Sequence, residues 1–256
     1  MVKKSGPPPP HPATGRRPGP AGRPPDVRPS GAWAPCSILA RSVSAAVLPL
    51  LAGPEREGVG LGLGYVDFGG YVLALTRPGR PRMPNGVECQ LDVQPGERCS
   101  IGLGRLVAHG VEVLPGPTWD PVPEVAFLPR LEAGERLRPD VERLAGRGDG
   151  LTPSGDDLLS GYVAGLTLFH GRTEEAMALA EAAALRTTHL SATLLRHAAR
   201  GELPEPAHAL LERGEVGPLH RFGHSSGRSL LVGLAAAASA PPEATAVATV
   251  GDKAAR

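Results

Sequence analysis

The chain spells one phrase twice. Ser154-Gly155-Asp156-Asp157-Leu158-Leu159-Ser160-Gly161 and Ser226-Gly227-Arg228-Ser229-Leu230-Leu231-Val232-Gly233 share Ser-Gly-x-x-Leu-Leu-x-Gly in one register, 72 residues apart. Each opens on a small polar residue and runs into an apolar stretch, so each predicts a helix start whose first-turn N–H groups lack intrahelical partners. Such ends attract carboxylates and phosphates. The match predicts two related helices paired about a pseudo-twofold axis; coincidence is the alternative, because Ser-Gly and Leu-Leu pairs are common. Gly161 and Gly165 fall on one helical face, where another backbone can come close.

Around these helices the texture divides. Residues 58–113 are short β-like runs (60–67, 71–75, 87–91, 99–103 and 111–114) broken by Gly69-Gly70 and Pro84-Asn85-Gly86, which predicts a small antiparallel sheet or barrel. Residues 35–53 have apolar spacing closer to a helix than to a strand, interrupted by Pro49. Five prolines in 115–129 read as an inter-domain connection. Helices are expected over 131–144, 152–170, 173–185, 191–200, 207–213 and 226–240. The fold class is therefore α+β, with a β-rich domain at 35–120 and a helical domain at 121–256 that carries the glycine-rich motif. Residues 1–34 hold ten prolines and six basic side chains against the single acid Asp26, and are expected to be a disordered tail.

Composition removes several classes of function. A net charge of +1 gives no clustered basic face for nucleic acid. No apolar run is long enough to span a bilayer and no secretory h-region follows the basic start, so a cytoplasmic protein without a membrane partner is expected. Cys36, Cys89 and Cys99 have no metal-ligand spacing and read as reduced core thiols. Lysine occurs only at Lys3, Lys4 and Lys253, so Schiff-base and P-loop lysines are excluded, and positive charge must come from arginine, histidine or helix N-termini.

The strongest local signal is Gly146-Arg147-Gly148-Asp149-Gly150-Leu151-Thr152-Pro153-Ser154-Gly155-Asp156-Asp157. Its alternate glycines let a ligand approach the backbone, and Thr152 or Ser154 caps the helix that follows. It lacks the Gly-Lys-Ser/Thr ending of a phosphate-binding P-loop and the βαβ setting of a dinucleotide fingerprint. Asp156 and Asp157 occupy the first turn, where an acid stabilises a helix without doing chemistry. Two together exceed what capping needs, so either is a candidate to accept a proton or amide N–H or to bind a divalent cation such as Mg2+. Gly223-His224-Ser225-Ser226-Gly227 matches a nucleophile elbow by letter, but no strand precedes it and no histidine follows His224. His224, Ser225, Ser226 and Gly227 remain as anion donors at a helix start. Arg186-Thr187-Thr188-His189-Leu190-Ser191 gathers further donors, with Arg186 suited to bidentate carboxylate or phosphate recognition and Thr188 or Ser191 to capping.

These three blocks, in this order, resemble the signature of the AllH-type family, which includes a subunit of the oxamate carbamoyltransferase of anaerobic allantoin degradation, a branch of purine breakdown. The resemblance runs over about residues 35–240 and maps onto Leu151, Thr152, Pro153, Ser154, Gly155, Asp156 and Asp157, then Thr188 and Ser191, then Ser226 and Gly227. The chain departs from the pattern at Ser229, where the family commonly has an acid, and it has no Ser-x-Arg-Thr loop of the classical transcarbamoylases. The resemblance implies a subunit of a multi-protein enzyme acting on carbamoyl phosphate, oxamate, oxalurate and phosphate. Carbamoyl transfer develops charge on phosphate and carbonyl oxygens, so it calls for preorganised N–H donors and cations. The sequence thus predicts Asp156 or Asp157 as catalytic, with Gly150, Thr152, Ser154, Gly155, Arg186, Thr188, Ser191, His224, Ser225, Ser226 and Gly227 binding substrate anions. The alternative is a non-catalytic subunit or small-anion sensor.

Overall fold

Three tight turns set the first half of the molecule. At Leu63-Gly64, Leu103-Gly104 and His109-Gly110 both residues have positive φ (55° and 80°, 52° and 83°, 54° and 71°), the handedness that suits two-residue hairpins between twisted strands. The computed structural model describes residues 36–130 and 139–241; the tail expected at 1–34 and the first part of the helix expected at 131–144 lie outside them.

The strands are β1 (Cys36–Leu39), β2 (Ser42–Ser44), β3 (Arg56–Gly62), β4 (Tyr65–Asp67), β5 (Val72–Thr76), β6 (Gly86–Glu88), β7 (Arg98–Gly102), β8 (Arg105–Ala108), β9 (Val111–Leu114) and β10 (Thr118–Trp119), with the short helix α1 (Leu48–Ala52) after β2. They form one curled sheet in the order β1-β9-β8-β7-β3-β4-β5-β6-β2-β10. The three hairpins pair antiparallel, as expected. The sheet is nonetheless mixed: β1 runs parallel to β9 with Cys36 opposite Val111, β10 parallel to β2, and β5 parallel to β6. The helix expected across 35–53 is instead β1, β2, one 3₁₀ turn and α1. The edge strand β1 is largely exposed and the three residues of β2 are all buried, so neither shows the alternation that marks a half-buried strand. Cys36 is accordingly exposed, whereas Cys89 and Cys99 are core thiols. Val43, Val66, Leu73, Ile101, Leu106 and Val113 fill the concave core of the sheet.

The second half is helical: α2 (Val141–Leu144), α3 (Ser154–His170), α4 (Thr173–Ala184), α5 (His189–Ala199), α6 (Glu205–Arg213), α7 (Val216–His220) and α8 (Ser226–Ala238). Leu159, Leu166, Leu195, Leu211, Leu219 and Leu234 form its core. Among the described residues, no helix is long and apolar enough to cross a membrane.

The repeated phrase folds as a repeated structure. A Cβ at Gly161 would lie 2.1 Å from the Leu230 carbonyl oxygen, and one at Gly233 would lie 2.0 Å from that of Leu158. Under the 72-residue offset these contacts exchange, the reciprocity of a twofold interface. Each long helix also seats its first-turn glycine on a shorter preceding helix, Gly155 against the Leu144 carbonyl of α2 and Gly227 against the Leu219 carbonyl of α7. The two halves of the molecule then meet through polar contacts: the Val72 N–H donates to the Thr193 hydroxyl at 3.0 Å, Tyr71 Oη lies 3.1 Å from His197 Nε2, and Arg82 pairs with Glu205 at 2.9 Å.

Candidate functional site

Asp156 and Asp157 are neighbours in sequence and part company in space, because successive residues on a helix point about 100° apart. Asp156 is buried and engaged on both oxygens: Oδ1 accepts from the Gly146 N–H at 2.7 Å, and Oδ2 from the Thr187 hydroxyl. It ties the start of the glycine-rich loop to the segment before α5. Gly146 must be glycine here, since its φ is +71° and a Cβ would fall 2.4 Å from the Arg186 carbonyl oxygen.

Asp157 turns toward α8. Its carboxyl group hydrogen-bonds the Ser226 hydroxyl, and Ser226 Oγ lies 3.3 Å from Thr152 Oγ1. Asp157 Oδ2 is buried without a hydrogen-bond partner among the described residues. Burial, and secondarily the charge of Asp156, push its carboxyl group up to about 7, against the lowering effect of the Ser226 hydrogen bond. Tyr65 of β4 senses that charge: burial, and then Asp157, raise its phenol. The site therefore lies where the two copies of the repeat and the sheet converge, with a carboxyl group suited to carry a proton at neutral pH.

The structure thus brings together Thr152, Asp157 and Ser226, over the packing glycines Gly155 and Gly227. Several first-turn N–H groups are already engaged: Gly155 donates to the Arg147 carbonyl at 2.9 Å, Asp156 and Asp157 donate to Pro153, and Gly227 donates to Phe222. Gly148 overlies the α3 start, where a Cβ would come within 2.7 Å of Ser154 N. Thr188 and Ser191 serve the backbone: Thr188 caps α5 by accepting from the Ser191 N–H and donates to the Leu151 carbonyl, which Ser191 Oγ also approaches. Arg186 is exposed and pairs with Glu142 at 3.6 Å. Gly150, His224 and Ser225 are exposed on the loops around the site.

Sequence reasoning passed over a second group of residues. Tyr71, His197 and Glu202 form a chain in which His197 Nδ1 lies 2.5 Å from Glu202 Oε2 and Nε2 lies 3.1 Å from Tyr71 Oη, while Arg200 closes on Glu202 at 2.9 Å. The short Nδ1 contact needs a proton between the two atoms, so Nδ1–H donates to Glu202 and the Tyr71 hydroxyl donates to Nε2. Burial lowers the His197 pKa despite its Glu202 partner, which keeps the ring neutral. For Glu202, burial is outweighed by hydrogen bonds from His197 and Arg200, and its carboxyl group is held ionised below its ordinary range. Asp67 and His189 make a further contact across the halves, at 2.6 Å. The Asp67–His189 and Tyr71–His197 pairs each span more than 120 residues of chain, a separation at which no local motif reports them. Among the described residues, no group of three or more His, Cys, Asp or Glu converges as a metal site.

Comparison with curated proteins and with solved structures gives no match. Residues 144–238, which run from the end of α2 through α8 and so supply every helical wall of the site, match the family model of oxamate carbamoyltransferase subunit AllH, the family that the sequence blocks resemble.

Proposed function

We propose that the chain is a subunit of an oxamate carbamoyltransferase-type complex, with Asp157 as the proton-transferring group. The observation that carries this reading is the Asp157 carboxyl group, raised to about 7 and paired with Ser226 at the meeting of the two helix starts. In the transfer, the amide nitrogen of oxamate bonds to the carbamoyl carbon, the C–O bond to phosphate breaks with its electron pair leaving on phosphate, and the displaced amide proton passes to Asp157. In the reverse direction, phosphate attacks oxalurate and protonated Asp157 returns the proton to the departing nitrogen. A group with a pKa near the working pH serves both directions. The exposed donors around the site, among them Gly150, His224 and Ser225, and the half-buried Ser154 are assigned to the anionic ends of the substrates, together with Arg186 once it releases Glu142. Asp156 is left to hold the loop.

The test is carbamoyl transfer by the complex assembled with its partner subunits. Asp157→Asn is expected to lower the rate about 100-fold or more in both directions, the usual cost of losing a positioned proton carrier, in a protein that melts no lower than the wild type. Full activity in a folded Asp157→Asn protein would overturn the assignment and favour the non-catalytic or anion-sensing subunit.

A further inference from the structure

Asp157 is one wall of a small, partly open cavity of about 30 Å³ between α3, α5 and α8. Glu202 is another, and Ser160, Ala198 and Ser226 complete the lining together with apolar side chains. A space of that size holds one water-sized group. Its polar lining is dominated by acceptors. Asp157 Oδ2 has no hydrogen-bond partner among the described residues, and a buried acceptor left unpaired is costly enough that native sites rarely keep one. The bonds that Glu202 accepts from His197 and Arg200 fall mostly on Oε2, with Oε1 taking only a 3.2 Å contact from Arg200 Nε. A carboxylate offers about four lone-pair sites, so Oε1 keeps capacity for another donor.

We propose that this cavity is an amide-nitrogen subsite, with Glu202 as its specificity-determining acceptor: it receives the –NH2 of a carboxamide or carbamoyl group and turns away the carboxylate analogue. The inference rests on the carbamoyl-transfer reading and deepens it. An –NH2 brings two donors and no charge, and so satisfies both walls. A carboxylate oxygen in the same place meets two acceptors and the negative charge of Glu202, and like charges repel more strongly in a poorly hydrated space than in water. Oxamate and oxalate differ by this one group. His197 and Arg200 are then positioning residues, which keep Glu202 ionised and oriented, and Tyr71 is the anchor that fixes the His197 tautomer.

The measurement is calorimetric titration of the chain, assembled with its partner subunits, with oxamate and with oxalate. The wild-type protein is expected to prefer oxamate by about tenfold or more, since a site built to hydrogen-bond an N–H discriminates strongly against analogues that lack it. Glu202→Gln, whose amide can donate as well as accept, should narrow the preference to within about threefold. Because Glu202 also supports His197, Ala198→Val serves as the second variant: it leaves every charged group in place, fills the cavity with two methyl groups, and should weaken oxamate binding about tenfold or more. Oxamate binding with the preference unchanged in a folded Glu202→Gln protein, or undiminished in Ala198→Val, overturns the subsite alone. If oxamate and carbamoyl phosphate both fail to bind the wild-type protein, the carbamoyl-transfer reading falls and takes this inference with it.

Discussion

Two adjacent aspartates show, at the scale of the residue, what separates a structural acid from the one proposed to carry a proton. The sequence places both in a first turn and offers no way to rank them; the ranking comes from which partner each 100° step of the helix meets. Asp156 meets a backbone N–H and a hydroxyl, so Asp156→Ala leaves both without their acceptor and should cost roughly 2–4 kcal/mol in chemical denaturation. Asp157 meets a space with one hydroxyl. Its folded pKa lies above its unfolded one, so its contribution to stability is fully present below about pH 4 and is lost as pH rises through about 7. Asp157→Asn removes that titration: its stability relative to the wild-type protein should climb between about pH 4 and 7 and level off above, as read from denaturation midpoints across pH. A flat difference would mean that Asp157 titrates normally. The donor residues of the site divide in the same way, since Ser226 and Thr152 reach Asp157 or its partner while Thr188 and Ser191 are spent on capping and on the Leu151 carbonyl.

At the scale of the element, the long helices are legible in the sequence and the strands only partly so. α3 begins within two residues of its expected start because Pro153, Ser154 and the acids mark a helix beginning, and Gly171 ends it in the left-handed conformation. The hairpins are harder to see because their turns are Leu-Gly and His-Gly instead of the usual Asn-Gly or Asp-Gly, so β3 and β4 read as a single run and β8 gives no signal of its own. β10 is two residues long and lies within a proline-rich connection. The crossing of α3 and α8 is the element-scale feature most open to test. Each glycine there faces a backbone carbonyl that cannot step aside as a side chain would, so Gly161→Ala and Gly233→Ala should each cost at least about 1–3 kcal/mol. Val232→Ala, at a partly exposed position on the same helix, is the control and should change stability by less than about 1 kcal/mol. Equal effects at all three positions would show that the helices can separate freely.

At the scale of the whole molecule, the sheet and the helices are joined by hydrogen bonds between distant parts of the chain, with the Val72–Thr193 bond buried, and these long-range pairings are what a single sequence hides. Thr193→Val would strand the buried Val72 N–H and should destabilise the protein by about 1–3 kcal/mol. Calorimetry should show one transition that moves as a unit; a split into two transitions would mean that the halves unfold independently. The reciprocal packing of α3 and α8 carries a further consequence. Two copies of one helix start, packed against each other inside a single chain, would present the same groups on either copy if they were identical. Here they are not: Asp157 on one side corresponds to Ser229 on the other, and Asp156 to Arg228. The packing is therefore common to both copies, whereas the pair of first-turn acids belongs to α3 alone, and the repeat keeps its shape while only one copy carries the carboxyl groups.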